Sequence, residues 1–357
     1  MREFGSEFHI AYGKDAYFDH ISSLKRYCRF LRTGREALLL AARSIPCTGN
    51  KVILMPAYCC WSMEAPFVQE GYELVYYRLN YDLSIDMDYL MSAIKKHAPS
   101  AILVMNYFGF TPTNDIVKHV KQTDNQIRII EDFSHCLFSL SEIFNPKVDY
   151  YVASIRKSIG LPDGAVYISD NVPTYIETSD EQAEFIRLRS HAERLKCQYQ
   201  YTSNNEDKTI FLEELALAAV ILKGESSIVP IEMSTQSKDI MYHTSSEEFV
   251  EARMANYTHL YRILSSNSLV QMPFSPMSDH TAPFALPVLI ENRDELQRVL
   301  AKNGVYAPVL WPISERASLV CDTAKRFAEQ MLAIPIDQRY DYYDIEELGN
   351  RINNILK

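Results

Sequence analysis

Basic residues are scarce in this chain. Its 357 residues include 36 Lys and Arg against 46 Asp and Glu, a formal net charge of −10 with histidine neutral. Nucleic-acid binding needs a concentrated cationic surface, so this balance argues against a general nucleic-acid partner. It leaves room for a small, locally basic pocket. Long apolar runs are missing as well: no stretch approaches the roughly 18 consecutive apolar residues of a membrane span. The opening Met1-Arg2-Glu3-Phe4-Gly5 has an early acid and no continuous apolar core of a secretory signal. The seven cysteines are scattered and odd in number, and Cys59 and Cys60 are adjacent rather than at zinc-ligand spacing. Reduced thiols in a cytoplasmic protein, with no membrane association, are the expectation. The nine histidines contain no His-x-x-x-His pair, so no metal site is expected. There is no internal repeat and no low-complexity tract.

An apolar content of 47% over this length can fill one large domain and a smaller one. From Lys51 onward, short apolar runs alternate with helical patterns. The runs are Val52–Met55, ended by Pro56; Glu73–Tyr77; Ala101–Met105; Ile127–Ile130, leading into Glu131-Asp132; Tyr150–Ala153; and Ala165–Ile168. Between them, Asp86 to His97 places Met87, Leu90, Met91 and Ile94 on one helical stripe, and Asp115 to Lys121 forms a shorter helix. Continuous apolar strands alternating with amphipathic helices indicate a mainly parallel sheet covered on both faces, an α/β three-layer domain. The pattern changes after about residue 225. Ser245 to Leu264 reads as a long helix capped by Ser245 or Ser246. A looser stretch with Pro273, Pro276 and Pro283 follows, then a strand over Phe284–Ile290, a helix over Arg293–Lys302, a short strand at Leu332–Ile334 and a closing helix over Ile345–Ile355. The expected division is a large domain over 1–235, including the N-terminal segment, and a small α+β domain over 236–357.

Three segments carry chemistry. Asp132 follows the apolar strand Ile127–Ile130, and in open α/β sheets ligands collect at the carboxyl ends of strands. A carboxylate there can pair with the protonated ring nitrogen of pyridoxal phosphate (PLP), whose electron-sink chemistry requires that proton; it can also simply cap the next turn. Lys157 lies beyond the next strand, in the loop Ser154-Ile155-Arg156-Lys157-Ser158-Ile159-Gly160-Leu161-Pro162-Asp163-Gly164. An amine there is placed for Schiff-base chemistry, and burial with the charge of Arg156 would favour its neutral, nucleophilic form. Ser154 and Arg156 are candidates for holding the cofactor phosphate. The plain alternative is a surface Arg-Lys pair at a turn. In Arg32-Thr33-Gly34-Arg35-Glu36, a turn feeds a helix running to about Ser44. The first N–H groups of such a helix point outward and can cradle phosphate, or Thr33 can serve as an ordinary cap.

The order of these segments resembles the DegT/StrS-type sugar aminotransferases, PLP enzymes of the aspartate-aminotransferase fold. Thr33–Leu38 resembles the family's Gly-Thr-Ser-Ala-Leu helix start, and Pro56-Ala57-Tyr58 its loop before the cofactor. Asn106-Tyr107-Phe108-Gly109 resembles its His-Leu-Tyr-Gly segment. Glu131-Asp132-Phe133-Ser134-His135 is similar to its Glu-Asp-Ala-Ala-His/Gln, and Ile334–Tyr340 to its Leu-Pro-x-x-x-x-Tyr segment. The resemblance implies a Schiff base at Lys157, Asp132 on the ring nitrogen, His135 beside the ring hydroxyl, and Gly34 and Arg35 N–H groups on the phosphate. It also implies an aromatic stacked on the ring, Tyr58 or Trp61. Glutamate would be the amino donor, a nucleotide-linked keto-sugar the acceptor, and a homodimer the assembly. Two segments depart from the family. Lys157 sits in Ser-Ile-Arg-Lys followed by Leu-Pro-Asp-Gly rather than Ser-Phe-His-x-x-Lys followed by Thr-Thr-Gly-Glu-Gly-Gly. Nothing matches the family's Gly-Tyr-Asn-Tyr-Arg-Met where Phe211 begins the corresponding helix. An amino-acid aminotransferase, which would use Arg156 or Arg187 for a second carboxylate, a sugar dehydratase and a non-catalytic PLP-fold regulator are the rival readings.

Overall fold

Most of the apolar runs become strands buried on both faces, and their ends are punctuated by polar turns; the edge run Glu73–Tyr77 is fully covered on one face only. A computed structural model describes residues 2–8, 18, 21, 26–46, 50–173, 175–244, 247–275 and 282–357. Chain order begins with β1 (Phe4–Gly5), β2 (Tyr27–Leu31), α1 (Gly34–Ser44), β3 (Val52–Pro56), α2 (Trp61–Gln69), β4 (Glu73–Tyr77), α3 (Met87–His97) and β5 (Ala101–Met105). It continues with α4 (Asn114–Thr123), β6 (Arg128–Asp132), β7 (Tyr150–Ser154), β8 (Ala165–Ser169), α5 (Glu184–Thr202), α6 (Asn205–Gly224), α7 (Thr235–Tyr242) and α8 (Glu247–Leu264). It closes with β9 (Leu286–Leu289), α9 (Arg293–Lys302), β10 (Val305–Tyr306), α10 (Glu315–Val320), α11 (Asp322–Gln330), β11 (Met331–Ile334) and α12 (Tyr342–Ile355).

Seven strands form one sheet in the order β2-β8-β7-β6-β5-β3-β4. β4, β3, β5, β6 and β7 are parallel, and β8 runs against both of its neighbours. The mixed but mostly parallel sheet is the three-layer α/β architecture expected from the apolar runs. β4 lies on one side of β3, while β5, β6 and β7 follow on the other. The topology therefore switches between β3 and β5, and the carboxyl ends of β3, β5, β6 and β7 share one edge. Every residue of β3, β5 and β7 is buried. α1 packs on β7 and β8, and α3 on β3 and β4. Asp86 caps α3 by accepting the Tyr89 N–H at 3.0 Å.

A second apolar cluster is built from α8, α9, α12, the antiparallel pair β9–β11 and the residues around β10. The N-terminal segment, read from sequence with the first domain, joins this second cluster: β1 pairs in parallel with β10, and Phe4 is fully buried among its residues. α11 and the residues on both sides of it return to the large core, through Cys321, Phe327, Met331 and Ala333. The expected cap of α8 at Ser245 or Ser246, and Pro276, lie outside the described residues. α6 begins at Asn205, capped by the Asn204 side chain, six residues before the start read from sequence. No helix among the described residues is long and apolar enough to cross a membrane.

Candidate active site

The buried backbone around the carboxyl ends of β6 and β7 is tied together side to side. Asp132 ends β6, is buried, and accepts the Ser134 N–H on Oδ1 at 2.9 Å. It is thus a turn residue as well as a carboxylate, since one oxygen closes the turn. The Ser134 hydroxyl accepts the N–H of Ser154 at 2.8 Å, which locks the start of the lysine loop to the Asp132 turn. The chain then makes one 3-10 turn, Ile155–Lys157, and the Ile155 N–H returns to Gly164 O at 3.0 Å. Gly164 sits at φ +152, and a Cβ there would meet Met233 Cε at 3.0 Å, so glycine is required.

The Leu-Pro-Asp-Gly sequence after Lys157 has its own structural logic. Asp163 is fully buried and accepts the Ser234 N–H at 2.9 Å, the Ser234 hydroxyl at 2.6 Å and the Ser237 hydroxyl. These bonds fasten the lysine loop to the start of α7. Burial raises the Asp163 carboxyl, against the pull of its serine partners. On the other flank, Ser158 O accepts from Gln338 Nε2 at 3.0 Å and from Arg253 Nη2 at 3.3 Å. Arg253 is only 2% exposed and also donates to the carbonyls of Pro283 and Phe284 and to Gln338 Oε1. Burial lowers its guanidinium to about 10.

Lys157 is half-buried and lines a cavity of about 720 Å³, its Nζ 5.9 Å from the centroid of the Trp311 ring. His135, Arg156, Phe284, Leu310 and Arg339 share the lining with residues of the N-terminal segment and α6. The His135 ring lies parallel to Phe284 at 4.3 Å and faces Trp311 at 5.5 Å. Burial, and then the charge of Lys157, push its pKa well below the usual histidine value, so it is neutral. Its Nδ1 accepts the Phe108 N–H at 3.3 Å, which assigns the ring proton to Nε2. That Nε2 is buried and has no hydrogen-bond partner among the described residues.

The helix start at α1 touches the lysine strand: a Cβ on Gly34 would lie 3.3 Å from Ser154 Cβ. Thr33 is the N-cap residue but makes no side-chain cap bond. Its carbonyl accepts from the N–H groups of Glu36 and Ala37, so those of Gly34 and Arg35 are the outward pair of the first turn. The Arg35 side chain is occupied elsewhere, in an ion pair with Glu225, which Arg32 also reaches at 2.8 Å. Glu36 is fully buried; burial, against the charge of Arg32 at 2.8 Å, pushes it up to about 7.

Of the sequence candidates, Lys157, His135 and Arg156 line the cavity, while Asp132, Ser154, Gly34, Arg35, Tyr58 and Trp61 are not part of its lining. Tyr58 is fully buried, donates to Leu310 O and packs on Tyr107 at 5.9 Å and Trp311 at 5.2 Å. It is enclosed by Tyr107, Trp311 and Phe327 and is not part of the cavity lining. Trp61 is 65% exposed at the start of α2. Arg187 is exposed on α5, whereas Arg156 lines the cavity. The charges that bear most on Arg156 are those of Arg189, Glu7, Glu193 and Asp163, which place its guanidinium toward α5 and the N-terminal segment. Sequence reasoning missed Arg253, Phe284, Trp311 and Gln338. No local signal marks them, because each acts across a chain separation that only folding closes.

The fold is the one found in solved aminotransferase structures. No family model matches the chain, and no curated protein matches it in sequence. Among solved structures, it is similar to the Helicobacter pylori aminotransferase PseC, involved in pseudoaminic acid biosynthesis, at 15% identity and TM-score 0.64 over 99% of each chain. It is similar to the putative sugar aminotransferase Spr1654 of Streptococcus pneumoniae, in its PMP form, at 12% identity and TM-score 0.67 over 98% of this chain and 92% of that one. A DegT DnrJ EryC1 StrS aminotransferase from Brucella abortus follows at 14% and 0.65, over 96% and 91%. At these identities the likeness establishes the fold.

The residues present fit PLP. The unpartnered His135 Nε2 suits a ring oxygen, and Asp132 keeps an oxygen that the Ser134 turn does not use. The close approach of Gly34 to Ser154, 3.3 Å from an added Cβ, brings the α1 start with its outward Gly34 and Arg35 N–H groups against the end of β7.

Proposed function

We propose that this chain is a PLP-dependent aminotransferase that moves an amino group from an amino acid, glutamate, to a keto-sugar carried on a nucleotide. The observation that supports it most directly is the pairing of Asp132 and Lys157. Asp132 ends one strand and Lys157 follows the adjacent parallel one, the two are locked together through Ser134 and Ser154, and the lysine lines a large cavity. When bound, the cofactor supplies the electron sink that stabilises negative charge at the substrate carbon.

The chain's own residues do the rest. Lys157 would hold the cofactor through its amine and would carry a proton at the substrate carbon. Asp132 would hold the ring nitrogen's proton. The neutral His135 would donate from Nε2 to the ring oxygen. The α1 start with Ser154 would take the phosphate. Phe284 and Trp311 flank His135 and keep water from that side. Arg253 and Gln338 hold the Ser158 carbonyl and thereby aim the lysine.

The test is reconstitution with PLP, borohydride reduction and peptide mapping. The cofactor should be fixed on Lys157, and Lys157→Ala should lose both the fixed cofactor and all turnover. Glutamate alone should convert the bound cofactor to its amino form, which a panel of nucleotide keto-sugars, tested against plain 2-oxo acids, should then discharge. Transamination retained in the Lys157→Ala variant would end the reading.

A further inference from the structure

The chain crosses between its two cores soon after it starts. Phe4 belongs to the smaller cluster and Phe18 to the large one. The first residues of that crossing, Gly5, Ser6, Glu7 and Phe8, line the same cavity as Lys157. Their small-domain end is held firmly. The Phe4 N–H donates to Gly304 O at 2.8 Å, β1 pairs with β10, and the Gly5 N–H donates to the Tyr340 hydroxyl at 2.7 Å. Gly5 and Ser6 then take φ of +85 and +65, two successive left-handed residues that turn the chain sharply. A Cβ on Gly5 would lie 2.1 Å from Tyr306 O, so this turn requires glycine.

The other end is held lightly. Glu7 Oε2 accepts from Arg189 Nη2 on α5 at 3.3 Å, long for an ion pair, and the Glu7 side chain is 38% exposed. Arg189 is buried and has other acceptors: Glu193 Oε1 at 3.0 Å and Leu161 O, in the lysine loop, at 3.5 Å. Glu7 can therefore leave without stranding a buried charge. The Glu7 carbonyl accepts from Arg339 Nη1 at 3.0 Å, and the Arg339 guanidinium lies 4.0 Å from the centroid of the Phe8 ring. Asp337 holds that guanidinium at 2.7 and 2.9 Å, so it too keeps a partner when the segment lifts. Burial would raise the Glu7 carboxyl, but Arg189, Arg156 and Lys196 outweigh burial and hold it below its ordinary value.

We propose that residues 5–8 are a strap over the Lys157 cavity, hinged at Gly5 and Ser6 and latched by the Glu7–Arg189 pair, and that release of the latch admits ligands to the lysine amine. The opening is local, of the kind that weakly held segments make while the rest of the fold stays closed. It needs only the lysine and the cavity, so it does not rest on the aminotransferase reading above.

The purified full chain is treated with trinitrobenzenesulfonate, a bulky anionic amine reagent, and the label on Lys157 is followed by peptide mass spectrometry. Lys95, exposed on α3, calibrates the reagent, and Lys121, whose side chain is 9% exposed in its pair with Asp149, reports any general loosening. Glu7→Gln removes the latch together with its charge. Glu7→Asp keeps the charge and shortens the arm. Both should speed labelling of Lys157 about two- to fivefold, the factor that an ion pair of this exposure holds back, with Lys121 unchanged. A gain in Glu7→Gln alone would mean that charge, and no latch, repels the reagent, and it overturns the proposal. An unchanged Lys157 rate in both variants overturns it as well, as does a matching rise at Lys121. The expected pattern in a chain that fixes no cofactor on Lys157 supports the strap and removes the aminotransferase reading. Cofactor fixed on Lys157, with labelling indifferent to Glu7, removes the strap alone.

Discussion

Replacing Glu131 with glutamine should leave stability nearly unchanged at pH 4.5 and raise it at pH 8. Glu131 is fully buried beside Asp132; Oε1 accepts the Thr113 hydroxyl at 2.8 Å, and Oε2 has no partner among the described residues. Burial, aided by the Asp132 charge and opposed by the Thr113 bond, pushes its carboxyl from 4.5 up to about 7. The folded protein therefore keeps a proton that the unfolded chain releases. A raised folded-state pKa contributes stability that is complete below pH 4.5 and lost as pH rises through about 7. Between those limits the loss amounts to about 3 kcal/mol, at about 1.4 kcal/mol per pH unit. Glutamine keeps the shape and neutrality of the acid but does not titrate. Its amide must find an acceptor where the acid had a hydroxyl, so the net gain at pH 8 should be about 1–3 kcal/mol. Urea denaturation of both proteins at pH 5, 6, 7 and 8 gives the difference directly, with the other raised carboxyls cancelling. Parallel stability curves across that range, or a less stable variant at pH 8, would refute the assignment of a neutral Glu131. Cofactor binding should survive the substitution, since a neutral Glu131 leaves Asp132 without a like charge beside it.

Three further outcomes follow from the same geometry. Arg253→Gln should cost about 3 kcal/mol in thermal or urea unfolding, because it opens carbonyls of Ser158, Pro283 and Phe284 that are buried with it; a change under about 1 kcal/mol would mean the clamp is dispensable. Asp163→Ala should cost about 2–4 kcal/mol through its lost serine bonds, and protease should then cut first within the loop over 158–164; cleavage elsewhere would contradict its anchoring role. Gly34→Ala should barely move the melting temperature, as the Ser154 contact at 3.3 Å needs only a few tenths of an ångström of give. PLP should nonetheless bind that variant about tenfold more weakly, as followed by fluorescence titration, and equal affinity would place the phosphate elsewhere.

Much of this protein was legible from residue order alone. Runs such as Val52–Met55, Ala101–Met105 and Ala165–Ile168 are wholly apolar, bounded by turn residues, and too short for helices; a strand buried on both faces is the remaining solution. Because parallel strands share a direction, their carboxyl ends share an edge, and residue order alone puts Asp132 and Lys157 at that edge. Helix periodicity marked α3 and α9 for the same local reason. Local pattern says which face of an element is buried, not against what. The tertiary structure alone decided that Phe4 pairs beside Val305, that Arg253 reaches Ser158, and that the Arg35 side chain turns to Glu225 and leaves only its backbone N–H for an anion. It also separated the two aromatic candidates, enclosing Tyr58 and leaving Trp61 in solvent. Each of these depends on contacts between distant parts of the chain, whose partners are chosen by packing and charge pairing across the whole fold.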